Sequence, residues 1–461
     1  MTQRIPADQQ AAAEMALLRP VGPRATFSPE KGVTNWSMTP IRVALTYLFF
    51  TLALFLFWPI DWPLSAWKRI IIVIYTIGCY GLFAAGYVVA TYSTPVLSNG
   101  PVSQRFIMWG AVSAVILLFP SAYFYAGRWP WQILDVIGDQ REAYRGLQDT
   151  LAETAGQRTP IALLRGIFAP ITFCVLPLGI IRWERLSWWL RAGVLATVAC
   201  SIIFSVLRGT DREFADILIV GVSAYLVRIA RGDSSGIALI KRNWKAAVAL
   251  VLFVYVAGNL FTERKSARLG QTTSVCAIGS GVCADLGNPA IAWMDERTLF
   301  GSSIFAVSVA QGYYGLALGM DQPFKSTFGL GHSPALTGIY VRATGDKKFE
   351  TRSFTYRNAF EAWPPESFWS SMMIWFANDI SYLGVLPLMY FIGAYWARRW
   401  KNATLGESDA AAVLFSLLCV MIAYMPANNQ IFATFDGYFI IAFWFIMEVR
   451  ARLRPVHVIR A

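Results

Sequence analysis

Two groups of charged residues in this chain have the types and spacing for chemistry. In RGTDRE, Arg208, Asp211 and Arg212 fall within six residues. Two guanidinium forks that close suit phosphate oxygens, and charge-assisted bonds of this kind contribute roughly 1.5 to 3 kcal/mol each. Arg165 lies one turn inside an apolar run that starts from the same side, Asp216 begins another run, and Asp379 and Asp436 open two more. Each is explained singly as a cap or an ion pair, but ionisable groups at such depths are costly and together point to function.

The second group is Arg342, Glu350, Arg352, Arg357, Glu361 and Glu366, interleaved with Tyr340, Phe354, Tyr356, Phe360, Trp363, Phe368 and Trp369. Sugars are bound by such surfaces, C–H faces stacking on rings while hydroxyls meet charges. An interfacial aromatic belt accounts for the Trp and Tyr equally well. His332, in GLGHSP, is the one histidine outside the C-terminal tail; it is either a proton acceptor near neutral pH or a structural residue. For a general base, Glu366 ranks first, its pKa expected to rise beside Phe368 and Trp369. His332 ranks second, and Glu361 is a further candidate.

No GxGxxG, Walker, GxSxG or HExxH pattern occurs, and no CxxC or His-bearing ligand spacing. Neither a nucleotide, a cofactor nor a metal is therefore expected.

The elements that must position these residues are apolar helices. Apolar residues make up 56% of the 461 and charged ones 15%, too little charge for a soluble chain of this length. Ten apolar stretches, near 41–60, 70–92, 106–127, 161–181, 191–207, 214–229, 246–262, 379–397, 410–427 and 437–453, are expected to span a bilayer as helices, because only internally bonded backbone can do so. Residues 263–378 form one large loop, and 1–40 and 454–461 are tails. The first tail is expected to be disordered and, lacking an apolar core, is not a signal peptide.

With the N-terminus inside, the inner segments carry 21 Lys and Arg, against eight on the short outer ones. Both termini are therefore expected in the cytoplasm and the large loop outside. The net charge of +12 is on this reading a topogenic signal, and no nucleic-acid-binding motif accompanies it.

Leu299 to Met320 is apolar enough to cross, but one extra span would turn Arg398, Arg399, Lys401 and the C-terminal arginines outward. An interfacial or re-entrant helix inside the loop is expected instead. Cys79, Cys174, Cys200 and Cys419 lie in expected spans as small apolar residues. Cys276 and Cys283, in CAIGSGVC, are either a disulfide on an oxidising face or two free thiols.

The polytopic layout, the RGTDRE turn between the fifth and sixth spans, the stretch GYYGLALGMDQPFKSTFGLGHS (Gly312 to Ser333) and the segment WFANDISYLGVLPL before a Gly-containing span resemble the Wzy-type polysaccharide repeat-unit polymerases, relatives of the O-antigen ligases. The resemblance implies an all-α polytopic membrane protein, a C-type glycosyltransferase of the bacterial inner membrane. It would use undecaprenyl-diphosphate-linked sugars at the periplasmic face, without metal or nucleotide. Implied partners are the lipid-linked oligosaccharides, the membrane, and a chain-length regulator and flippase of the same pathway.

On the same resemblance Arg208 and arginines of the large loop hold diphosphate. Arg208, Arg212, Arg342, Arg352 and Arg165 are the candidates, with Asp211, Asp379, Trp363 and Trp369 in support. The ligases carry a histidine before the span that follows the loop, where EAWPPESFWSSM offers Glu361 and Glu366 instead. A ligase differs only in its acceptor and remains open. A lipid-linked oligosaccharide flippase is the rival from another class, although no internal repeat of the transporter kind is visible.

Overall fold

In the computed structural model the described residues are 37–93, 102–137, 158–232, 275–277 and 281–453, with isolated positions between 146 and 265. Most of the expected N-terminal tail, the 454–461 tail and most of the 246–262 span lie outside them.

The described chain is almost wholly helical. The helices of the bundle and of the segment above it are α1 (Thr39–Phe57), α2 (Ala66–Thr91), α3 (Gln104–Ala126), α4 (Arg158–Ile181), α5 (Trp188–Leu207), α6 (Arg212–Arg231), α7 (Glu296–Met320), α8 (Pro334–Thr344), the single turn α9 (Phe354–Arg357), α10 (Met372–Thr404), α11 (Asp409–Tyr424) and α12 (Phe435–Leu453). Several apolar runs meet a polar or glycine stop. Ser65 and Ser408 accept from the backbone N–H groups of Lys68 and Ala411 at the starts of α2 and α11, and Gly127 closes α3 in the left-handed region at φ 64°.

Among the described helices, seven (α1 to α5, α7 and α10) are long and apolar enough to cross a membrane. All of these but α7, with the shorter apolar α11 and the more polar α6 and α12, make a bundle in which α2 and α10 run parallel, Tyr75 meeting Tyr382 and Tyr87 meeting Trp396. α2 and α10 approach most closely, because a Cβ on Gly86 would collide with the Tyr390 carbonyl and one on Gly393 with that of Phe83.

The upper end, where α1 finishes and α2 begins, carries the irregular chain. Three short antiparallel strands, β1 (Ile60–Asp61), β3 (Val282–Ala284) and β2 (Val275–Ala277), lie there in that order. The disulfide Cys276–Cys283 joins the last two.

α7 is long enough to span, yet it starts and ends at this upper end. Ser303, near its start, takes a hydrogen bond from the Trp58 indole at 3.3 Å, and Asp321, just past its end, pairs with Lys68 at the start of α2. Between them, the Gly312 carbonyl accepts from Ser371 N–H at 3.0 Å. Both ends of α7 therefore meet the ends of α1 and α2 that face each other across their connection. Tyr313 reaches down from it to Thr51 (2.9 Å) and Tyr80 (2.6 Å), in a buried chain of hydroxyls.

α10 differs from expectation. It begins at Met372, inside the segment read as loop, and breaks at Ser381, which sits at φ 63°. Asp379 thus lies just before a kink instead of opening a span. The apolar MMIWF and the positive-φ serine together produce this: the first continues the helix upward and the second redirects it.

Candidate functional site

At the upper end α3, α4, α5, α6 and α12 leave between them a cavity of about 520 Å³. Arg165, Arg208 and Arg212 line it, and so do Glu213, Asp216 and Asp436. The RGTDRE turn builds one wall because Gly209, at φ 60°, lets the chain reverse there without a Cβ clash. Arg208 donates through Nη1 to Glu213 at 2.8 Å and stacks on Phe204, 4.8 Å from its centroid. Arg212 meets Asp216 at 3.4 Å. Gln430, with its amide oxygen turned to the guanidinium, accepts from Arg212 Nη2 at 2.9 Å.

Arg165 comes from a different helix. Its guanidinium lies over Phe204 and Tyr125, at 4.8 and 5.3 Å, and 3.8 Å from Asp436. Each arginine is paired, but each guanidinium carries five donors, and Arg208 Nε has no partner among the described residues. Burial pulls the Arg208 pKa below its ordinary value, against the opposing pull of Glu213. It stays a cation at any physiological pH.

A second group adjoins this wall. Asp379 on α10 takes the backbone N–H of Gly331 on Oδ1 at 2.9 Å, with the Thr327 hydroxyl against the same oxygen. Its Oδ2 takes both the backbone N–H of His332 (2.9 Å) and the ring Nδ1 (2.8 Å). A carboxylate oxygen only accepts, so Nδ1 is the donor to it, and in the neutral imidazole Nε2 keeps its lone pair. That lone pair accepts from the Tyr438 hydroxyl at 2.7 Å. Asn378, fully buried, bonds the Gly331 carbonyl and the Phe354 N–H, both at 2.8 Å. Phe376 stacks on the imidazole and Phe432 meets its edge, at 5.9 and 5.5 Å between centroids.

The two groups share a wall. Gln430, Ile431, Asp436 and Gly437 line the cavity, while Phe432 and Tyr438, interleaved with them, face His332; Ala335, three residues past the histidine, lines the cavity as well. The cavity therefore sets three arginines, each paired with a carboxylate, beside an imidazole whose Nε2 meets the Tyr438 hydroxyl.

Other candidates stand apart. Arg352 donates through Nε to the Ser326 carbonyl at 2.7 Å and covers Phe328, supporting the His332 loop. Arg342 is exposed on α8, and neither lines the cavity. Glu361 and Glu366 are exposed, so Glu366 lacks the burial beside Phe368 and Trp369 on which its ranking as base rested. Trp363 is buried, with Phe368 stacked on it and Tyr314 against its edge, and its indole donates to the Trp369 carbonyl at 3.1 Å. It builds the loop's core and is covered from any sugar, whereas Trp369 is partly exposed. Asp211 precedes α6 without capping it through its side chain.

Sequence reasoning passed over Tyr438, Asn378, Asn429 and Gln430. Asn429 donates to the His332 carbonyl at 2.6 Å. The signal was the run of polar residues in ANNQ, set between apolar helices. No cluster of three or more His, Cys, Asp or Glu with metal-binding geometry occurs among the described residues. Comparison with protein-family models, curated proteins and solved structures finds no match for this chain.

Proposed function

We propose that this chain is a membrane-embedded glycosyltransferase that joins polyprenyl-diphosphate-linked oligosaccharide repeat units into a bacterial surface or exo-polysaccharide. The observation that carries the reading is the shared wall between a cavity lined by three arginines and a histidine whose Nε2 is held as an acceptor. In this reading Arg165, Arg208 and Arg212 hold the diphosphate and stabilise the charge that grows on it as it leaves. The apolar depth of the cavity, where Phe173, Leu176 and Val220 line it, suits the start of a polyprenyl chain.

His332 takes the place first given to Glu366. Asp379 fixes its tautomer and steadies the imidazolium that forms when the acceptor hydroxyl gives up its proton, an arrangement that exposed carboxylates lack. The same reading has ten spans, both termini in the cytoplasm and the 263–378 loop in the periplasm, as the Lys and Arg distribution supports.

Purified protein in lipid nanodiscs, given lipid-linked repeat units, should release polyprenyl diphosphate and yield lipid-linked dimers and longer products. Transfer to a different lipid acceptor alone would make it a ligase. Movement of the substrate between leaflets with no new glycosidic bond would make it a flippase, for which an anion-holding cavity among helices would serve as well.

A further inference from the structure

We propose that Tyr438 is a catalytic proton relay, carrying the acceptor's hydroxyl proton from the cavity side to His332. The inference rests on the glycosyl-transfer reading above and adds to it a residue and a route.

Three observations converge on it. The imidazole's one free lone pair, on Nε2, is already taken by the Tyr438 hydroxyl at 2.7 Å, since Nδ1 faces Asp379. The ring is closed in by Phe376 and Phe432, and its side chain is only 19% exposed. Finally, Asp436 and Gly437 line the cavity while neither Tyr438 nor His332 does, so the phenol, next in sequence to that wall and bonded to the imidazole, links the two. In the proposed route a hydroxyl held against the wall reaches the phenol before the base.

A phenol can both accept and donate. The acceptor sugar's oxygen forms a bond to the donor's anomeric carbon, and the bond from that carbon to the diphosphate breaks, its electron pair leaving with the diphosphate. The sugar's proton passes to the Tyr438 oxygen while Tyr438's own proton passes to His332 Nε2. The imidazolium so formed lies against Asp379 and returns its proton to solvent after the product leaves.

The test uses the purified full-length protein with its lipid-linked repeat units. Tyr438→Phe keeps the ring and removes only the hydroxyl, so kcat should fall about 100-fold, in line with the contribution of general acid–base groups, with KM changed less than about twofold. A second substitution separates relay from positioning. With 3,5-difluorotyrosine at 438 the phenol loses its proton at lower pH, so the alkaline limb of the pH–rate profile should move to lower pH. A purely structural role would leave that limb in place.

Near-normal kcat in Tyr438→Phe, or an unmoved limb in the fluorinated protein, would overturn the relay while leaving the glycosyl-transfer reading intact. Absence of any new glycosidic bond with the wild-type protein would sink both.

Discussion

The bundle has a charged cluster at each end, and they are built differently. At the lower end Asp409 pairs with Arg182 and with Arg231, at 3.2 Å for the latter, and takes the Val102 N–H at 3.0 Å. Nearby, Arg399 pairs with Glu448, which also accepts from Asn402 at 2.8 Å. These acids are almost wholly buried, Asp409 to 1% side-chain exposure and Glu448 to 4%. Some remaining donors go to backbone ends, as Arg231 to Ala403 O (2.7 Å) and Lys401 to Thr91 O (2.6 Å), while Arg231 Nη2 has no partner among the described residues.

At the upper end the pairs are open to a cavity, Asp216 being 29% and Asp436 30% exposed. The same residue types thus do two jobs. The closed cluster joins helix ends around acids that are almost wholly buried; the open one sets its charges along a cavity. Counting ion pairs would not separate the two, but a lining cavity does.

Substitutions can break this comparison. His332→Ala should have the largest effect, a loss of about a thousandfold in turnover with the fold retained, read from product formation and from the size-exclusion profile. Arg212→Ala or Arg208→Ala should follow, at about 100-fold. Lysine at 208 should restore little, since it keeps the charge but loses the fork. Competition by soluble prenyl diphosphate should weaken in parallel.

At the other end the readout inverts. Asp409→Ala leaves two buried guanidiniums unpaired and should cost about 3 to 5 kcal/mol of stability. Thermal unfolding in detergent would report it, while turnover per folded molecule stays near normal. The smallest effect should come from Glu366→Gln, within about twofold of wild type because the group is exposed and outside the cavity. A dead Glu366→Gln would return the base to that carboxylate.

How much of this was legible in the sequence follows from separation along the chain. The RGTDRE arginines are neighbours, so their convergence could be read directly. His332 and Asp379 are 47 residues apart, and His332 and Tyr438 are 106 apart, and nothing local ties them together. The helices were legible because apolar runs bounded by charge have one solution in a bilayer. The start of α10 was not, since Met372 to Phe376 is apolar enough for either the end of a loop or a helix.

Trp363 and Glu366 show another limit. Residue type fixes what a side chain can do but not which way it faces: Trp363 turned into the loop's core and Glu366 outward to solvent. Where α7 begins and ends is fixed by contacts to Trp58 and Lys68, which hydropathy does not encode. Arg165 and Asp436, from helices far apart in sequence, met only because α4 and α12 pack side by side.

That the upper cluster holds the substrate's diphosphate, and the lower one does not, is tested most directly by photo-crosslinking. A polyprenyl diphosphate with a photoreactive group next to the phosphates would be irradiated with the purified protein and the attachment sites mapped by mass spectrometry. Attachment is expected within 204–216 and 430–437, lost in Arg212→Ala and kept in Asp409→Ala. Attachment around 182–185 and 398–409, or labelling that Arg212→Ala leaves unchanged, would contradict the account.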